Sequence, residues 1–262
     1  AKLKERGVSF VGPVSGELAC KKEDIGRLSY VDDIVYEIIS RISKKTLSGK
    51  NVLVTAGPTV EQIDPVRFIS NRSSGKMGYA LARMAKMRGA NVTLISGPVK
   101  LDEVSGVNTL HVRSASDMHE AVNNNFNKCD VLIMTAACAD FTVAEYSKSK
   151  IKKDGVGELT LNLKRTTDIL SEVKKLKGDR IVVGFAAESD NIEASAIKKL
   201  KAKGLNFIVA NDITKEDAGF ESDTNIATII DSTERAVHYD IMTKDELSEI
   251  IIDKISGMLN SL

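Results

Sequence analysis

From about residue 50 onward, short apolar runs alternate with segments whose apolar residues recur at helical spacing. The runs "NVLVTA" (51–56), "NVTLIS" (91–96), "NTLHV" (108–112), "DVLIMTA" (130–136), "RIVVGFAA" (180–187) and "NFIVA" (206–210) predict strands. Several are apolar without interruption, as strands covered on both faces are. Leu81, Met84, Ala85 and Met87 mark one face of a helix over 78–88 that ends at Gly89, and a helix over 192–203 ends at Gly204. Near the end, "IATIIDS" (226–232) and "AVHYDI" (236–241) predict an antiparallel pair, followed by an amphipathic helix at about 244–259. The first fifty residues read differently. A loop-like "GPVSGELACKKEDIGRL" (12–28) precedes a helix, "VDDIVYEIISRISKK", with Ile34, Val35, Ile38, Ile39 and Ile42 on one face, and "TLSGK" (46–50) reads as a short linker.

This alternation predicts an α/β fold, Rossmann-like and doubly wound: a mostly parallel sheet with helices on both faces and a small antiparallel extension. Four strands close on small or polar residues, in "TAGPT", "TAACAD", "GFAAE" and "VAND". Ligands of open α/β sheets bind beyond the carboxyl ends of the strands, so these tips are expected to share one pocket. Small residues there let a ligand approach the backbone.

Gly75-Lys76 stands where a loop becomes a helix, which raises two nucleotide motifs and excludes both. A phosphate-gripping P-loop needs Ser or Thr after the lysine and a glycine five residues before its second one; here those places hold Met77 and Ser70. A dinucleotide fingerprint needs three glycines directly after the first strand, but Gly57 is followed by Pro58 and Thr59. There remains a long loop, 57 to 74, delivering Asn71, Arg72, Ser73 and Ser74 to a helix start. Free N–H groups and the helix dipole favour an anion there, although a serine-rich start serves equally often as a plain cap.

Composition adds boundaries. Lys plus Arg number 37 against 36 Asp plus Glu, so no overall field recruits nucleic acid or a membrane surface. Three cysteines, Cys20, Cys129 and Cys138, are too scattered for a disulfide framework or a zinc pattern, and no run approaches the roughly 18 apolar residues of a membrane span. A reducing, cytoplasmic setting is the expectation. The three histidines are isolated, without metal-ligand spacing.

The string "TAGPTVEQIDPVRFISNRSSGKMGYALA" (55–82), followed in order by "AACADF" (136–141), "KIKK" (150–153), "VGFAAE" (183–188) and "VAND" (209–212), resembles the phosphopantothenoylcysteine synthetase family, over about residues 50 to 250. The resemblance implies a ligase of coenzyme A biosynthesis in which CTP activates 4′-phosphopantothenate as an acyl-cytidylate and L-cysteine displaces CMP. It implies that Lys150 promotes formation of the acyl-cytidylate and that Asn71 handles the activated intermediate, its amide donating to the acyl oxygen. It implies nucleotide contacts from Ser73, Ser74, Gly75, Ala136, Ala137, Asp140, Lys150, Phe185, Lys199 and Lys203. Without the resemblance these residues have plainer readings: Lys150 in a solvated basic loop, Asn71 and Asp140 in turns, Phe185 in a core, Lys199 and Lys203 as favourable charges near a helix C-terminus. Asn211 and Asp212 are further candidates for the same pocket. Mg2+ is implied by the nucleotide chemistry, bound mainly through phosphate oxygens and water, with no protein ligands assigned. The antiparallel pair is expected to join two subunits in a homodimer, with higher assembly in a longer bifunctional protein.

The chain also departs from the pattern. "KRTTDI" (164–169) replaces a Lys-Asn-Pro-Asp-Ile run, which alters nucleotide contacts from that loop, and Cys138 replaces a valine, reading as a buried structural cysteine. Residues 12–28 resemble the substrate-clamp segment of flavin-dependent phosphopantothenoylcysteine decarboxylases, with Cys20 at the cysteine that acts on the decarboxylated intermediate. The expected organisation is therefore a decarboxylase tail plus linker helix over 1–49 and a ligase domain over 50–262, with FMN confined to a decarboxylase domain not included in the chain. An NAD(P)-dependent oxidoreductase on a similar sheet is the competing reading; the absent glycine fingerprint and the absence of an acidic residue in "LISGP" weigh against it.

Overall fold

A computed structural model describes residues 2–18, 20–152, 157–188, 191–212, 219 and 221–261, without the side chains at 32, 188 and 212. The chain forms two compact units, Ala1–Lys45 and Thr46–Leu262. The first contains a short helix α1 (Lys2–Glu5), a hairpin of β1 (Val14–Glu17) and β2 (Glu23–Arg27), and the amphipathic helix α2 (Val31–Ile42). The segment expected as loop is thus a β-hairpin, with Cys20 exposed in its turn. Every β2 side chain is exposed, so no apolar alternation marks the strand.

The second unit runs β3 (Asn51–Ala56), β4 (Val60–Gln62), β5 (Phe68–Ser70), α3 (Lys76–Met87), β6 (Asn91–Ser96), β7 (Asn108–His111), α4 (Ala115–Phe126), β8 (Val131–Met134), β9 (Phe141–Val143) and β10 (Leu163–Arg165). It continues with α5 (Ile169–Leu176), β11 (Ile181–Glu188), α6 (Ile192–Lys203), β12 (Phe207–Asp212), β13 (Thr224–Asp231), β14 (Ala236–Thr243) and α7 (Lys244–Leu259). The unit begins a few residues before the expected linker ends. Leu47 is fully buried in its core and bonds the Arg88 carbonyl, so "TLSGK" is packed structure.

Eight strands form the main sheet in the order β14-β13-β12-β11-β8-β3-β6-β7. The pairs from β7 to β12 are parallel, and β13 and β14 extend the sheet antiparallel at one edge. Within one chain β14 pairs with β13 and forms the edge. Side-chain alternation sends Val52 and Val54 to the face covered by α3 and α7, where Leu81, Ile251 and Ile255 meet them, and Leu53 to the face of α4, α5 and α6, beside Met118, Val122 and Leu200. The helices thus lie on both faces, as the alternating pattern predicts. Two short hairpins stand outside this sheet: β4 with β5, and β9 with β10. The first lies inside the stretch expected as one long loop.

Helix α3 approaches the sheet closely at Gly78. A Cβ there would stand 2.5 Å from Ala56 Cβ, 2.6 Å from Thr135 Oγ1 and 3.0 Å from the Thr55 carbonyl oxygen. Backbone and strand-tip atoms cannot yield as a long side chain does. Gly78→Ala is expected to destabilise the protein by about 1–3 kcal/mol through overpacking. Chemical denaturation checks this; an unchanged midpoint would mean that α3 can ride outward without loss.

Candidate functional site

β3 and β8 lie side by side, yet the chain leaves them in opposite directions: β3 leads to β6 on one side and β8 to β11 on the other. Helices from the two connections therefore part at the strand tips and open a crevice. Its floor is a zipper of two small-residue segments. Ala137 N–H donates to Gly57 O at 2.9 Å, Ala136 N–H to Thr55 Oγ1 at 3.2 Å and Ala139 N–H to Thr59 Oγ1 at 2.9 Å, with Pro58 and Ala137 bridged in parallel. These tips consume their own backbone donors. Above them lies a cavity of about 840 Å³.

One wall is the start of α3. Gly75 takes the N-cap position at φ +77° with no side-chain cap, which a left-handed residue without a Cβ permits. Ser73 Oγ accepts the Gly75 N–H, at 3.4 Å. The first-turn N–H groups and the positive end of the dipole are the chemistry offered to an anion. Asn71 spans the crevice: its Nδ2 donates to the carbonyls of Ala137 at 3.2 Å and Cys138 at 3.0 Å. In this arrangement the amide hydrogens bond the floor and Oδ1 is turned to meet a ligand donor.

The opposite wall is built from α5, α6 and the turn before α5. Thr166 clasps the floor, its Oγ1 donating to Ala139 O at 2.7 Å and its N–H to Asp140 O at 3.0 Å. Asp140 is exposed at the cavity rim, and Phe185 is half-buried at the tip of β11. Lys199 donates to Phe185 O at 2.9 Å, and Lys203 bonds Asp168 Oδ2 and, at 2.8 Å, Ser171 Oγ. Burial alone would raise the Asp168 pKa, but Lys203 and Ser171 bring it below the usual carboxylate value. Asp168, at the N-cap of α5, and Ser171, in its first turn, therefore fix Lys203.

A third group, unforeseen from sequence, closes the cavity on the α3–α7 side. Lys244, only 6% exposed, donates to the carbonyls of Gly219 (3.2 Å), Ser222 and Thr224 (3.2 Å). Burial first, and Lys76 second, push its pKa down to about 8. Lys76 itself donates to Asp223 Oδ1 at 2.6 Å and Glu221 O at 3.1 Å. Asn211 lines the same side, and its Oδ1 is buried without a hydrogen-bond partner. A lysine heading a terminal helix gives no sequence signal that it is buried.

The structure thus brings Asn71, Ser73, Ser74, Gly75, Ala136, Ala137, Asp140, Phe185, Lys199, Lys203 and Asn211 to one cavity. Lys150 is exposed and does not line it, Lys153 lies outside the described residues, and so does the side chain of Asp212. Cys138 lines the cavity as a thiol, its pKa pushed up to about 12 by burial first and by Asp140 and Glu61 next.

Residues 47–259 match the family described as the DNA/pantothenate metabolism flavoprotein C-terminal domain. The chain belongs to this family. The family stretch contains the whole cavity, from Asn71 to Lys244. The chain is 46% identical over 260 residues to the coenzyme A biosynthesis bifunctional protein CoaBC of Bacillus subtilis, covering 98% of this chain and 64% of that protein. It is 45% identical over 265 residues to a cysteine/cysteine sulfinic acid decarboxylase from an unknown prokaryotic organism, covering 98% and 74%. The solved structure of the C-terminal domain of a coenzyme A biosynthesis bifunctional protein CoaBC superposes with a TM-score of 0.72 at 40% identity, covering 84% of this chain and 100% of that one.

The chain's three thiols differ in exposure. Cys129 is buried and its pKa is likewise pushed up to about 12, whereas Cys20 is exposed. A thiol with a raised pKa stays protonated and unreactive. At pH 8 iodoacetamide is expected to label Cys20 at least about tenfold faster than Cys129 or Cys138. Peptide mass spectrometry checks this; equal labelling of Cys138 would mean that the cavity activates it.

Proposed function

We propose that this chain is a CTP-dependent phosphopantothenate–cysteine ligase of coenzyme A biosynthesis. The chain spans about 64% of the length of its Bacillus subtilis relative, so the activity is inferred for the family domain itself. One observation carries the reading: an uncapped helix start, Asn71, Asp140 and the pair Lys199 and Lys203 converge on a single backbone floor. That set offers N–H donors and cations for phosphates, and a carboxylate for the hydroxyl or amino donors of a nucleoside. The alternative NAD(P) reading finds no support, since Gly57 and Pro58 are zipped to Ala137 where a fingerprint would cradle a pyrophosphate.

In this reading a carboxylate oxygen of 4′-phosphopantothenate attacks the α-phosphorus of CTP. The bond to the β-phosphate oxygen breaks and pyrophosphate leaves with its electron pair. The α3 start and Lys199 offset the charge that shifts onto the leaving phosphates, and Lys150, outside the cavity lining, is given its part in that step by the family resemblance. The amine of L-cysteine then attacks the acyl carbon, CMP departs, and the nitrogen loses its proton. The Oδ1 of Asn71 is suited to accept from that amine, and its amide keeps the floor in register. Mg2+ would lend charge neutralisation at the phosphates. The ion would be held mainly through phosphate oxygens and water.

The wider assignments belong to the same reading. Free Cys20, Cys129 and Cys138 fit a reducing cytoplasm, and among the described residues no helix is long and apolar enough to cross a membrane. Residues 1–49 are read as the tail of a decarboxylase domain, which would be the part that uses FMN. We further read the ligase as a homodimer. Val237 and Ile241 are exposed on β14, and Val66, Phe68, Phe141 and Leu163 on or beside the two small hairpins.

Mixing the protein with 4′-phosphopantothenate, cysteine, Mg2+ and CTP or ATP is expected to give CMP and phosphopantothenoylcysteine with CTP, read by mass spectrometry. No product from folded protein would overturn the ligase reading. Asn71→Ala is expected to release pyrophosphate but form amide about a hundredfold more slowly, and Lys150→Ala to lose intermediate formation by a similar factor. Normal amide synthesis by either variant would remove the role given to that residue. Light scattering at micromolar concentration should report a dimer; a monomer would dismiss that assignment.

A further inference from the structure

The segment "EQIDPVRF" (61–68) lies within the family-like first motif yet lines no part of the cavity. It forms the end of β4, the turn and the start of β5. Its carboxylates are buried and spent on distant backbone. Glu61 Oε1 accepts the N–H of Ala115, at the start of α4, at 2.8 Å, which pins the hairpin to the body of the unit. Asp64, with a side chain fully shielded from solvent, divides its two oxygens. Oδ1 holds the turn, accepting from the N–H of Val66 at 2.8 Å and of Arg67 at 2.7 Å. Oδ2 accepts from Arg67 Nη1 at 2.6 Å and from the N–H of Ile151 at 3.2 Å. Arg67 Nη1 then returns to the Ile151 carbonyl at 3.2 Å. The result is a closed ring of Asp64, Arg67 and both backbone groups of Ile151. Ser147 N–H adds a bond to Ile63 O at 3.0 Å.

Ile151 shares its peptide bond with Lys150, so the ring fixes the point from which the lysine side chain extends. We propose that Asp64 is a positioning residue for Lys150, its carboxylate and Arg67 together holding the Lys150–Ile151 peptide so that the lysine meets the anionic reactants from a fixed root. The proposal rests on the ligase reading, in which Lys150 promotes formation of the acyl-cytidylate. Its physical basis is twofold. A buried carboxylate that bonds both a guanidinium and a peptide N–H is directional, and ordering the backbone in advance removes an entropic cost from the reactive arrangement. Burial alone would raise the Asp64 pKa, but the three N–H donors and Arg67 bring it down to about 2, so the ring stays charged at any pH at which the enzyme would work.

Asp64→Asn separates the two halves of this device. The amide oxygen at the Oδ1 place still accepts from Val66 and Arg67, so the turn survives. The amide nitrogen at the Oδ2 place faces two donors, Arg67 Nη1 and Ile151 N–H, and the ring opens. Arg67→Met opens it from the other side. For both variants three quantities are compared with wild type: pyrophosphate release from CTP and 4′-phosphopantothenate, amide formation from supplied phosphopantothenoyl-cytidylate and cysteine, and tryptic cleavage after Lys150 and Lys152. Melting temperatures verify the fold. We expect pyrophosphate release to fall about a hundredfold, as for a catalytic group displaced by about an ångström, with amide formation within about twofold of wild type and cleavage accelerated. Wild-type pyrophosphate release in folded Asp64→Asn would overturn the proposal, as would equal loss of both half-reactions or unchanged cleavage. Should the wild type itself release no pyrophosphate, the ligase reading falls, and the cleavage comparison alone decides whether Asp64 holds the root of Lys150.

Discussion

The approach of α3 to the seam between β3 and β8 is the constraint from which the site follows. A glycine at position 78 lets the helix backbone settle against Thr55, Ala56 and Thr135, and that contact aims the uncapped first turn at the crevice. A helix displaced by the width of a methyl group would still be a helix. It would no longer direct its N–H groups over a floor made of Ala136 and Ala137. Gly75, with its positive φ, completes the arrangement by turning the chain into the helix without a side chain in the way.

Around that seam, charge is organised by backbone carbonyls and buried carboxylates more than by paired surface ions. Lys244 sits among three carbonyl oxygens, Lys199 donates to the Phe185 carbonyl, and Ile151 is gripped by Asp64 and Arg67. Such contacts make an ammonium or a carboxylate part of the scaffold. Two of the cavity's lysines also have carboxylate counter-charges at the rim, Lys203 with Asp168 and Lys76 with Asp223. Exposed ion pairs elsewhere, such as Arg83 with Asp245, contribute little by comparison.

Much of the main sheet was legible because strands buried on both faces must be written in apolar residues. Each of the eight apolar runs became one of its strands, with ends shifted by a few residues at most. Helix ends were legible at Gly89 and Gly204 for a steric reason, since left-handed closure favours a residue without a Cβ. The small hairpins were not legible: "VEQ" and "FIS" are three residues each, too short to show alternation. Leu47 looked like linker because one apolar residue has no periodicity. The cavity residues were singled out mainly through motif resemblance; by local pattern alone Asn71 and Asp140 read as ordinary turn formers. What no local pattern reveals is a bond across 87 residues, such as Asp64 to Ile151, or the burial of Lys244, because the partners there are main-chain atoms that every residue carries.

The zipper of Gly57, Pro58 and Ala136–Ala139 has an evolutionary consequence. That floor is closed on itself: the N–H groups of Ala136, Ala137 and Ala139 are spent on the Thr55 hydroxyl, the Gly57 carbonyl and the Thr59 hydroxyl, so they do not face a ligand. Selection for a different substrate therefore has little purchase there and must act on the walls. The fold in this way separates a floor whose bonding is turned inward from walls whose side chains face the cavity.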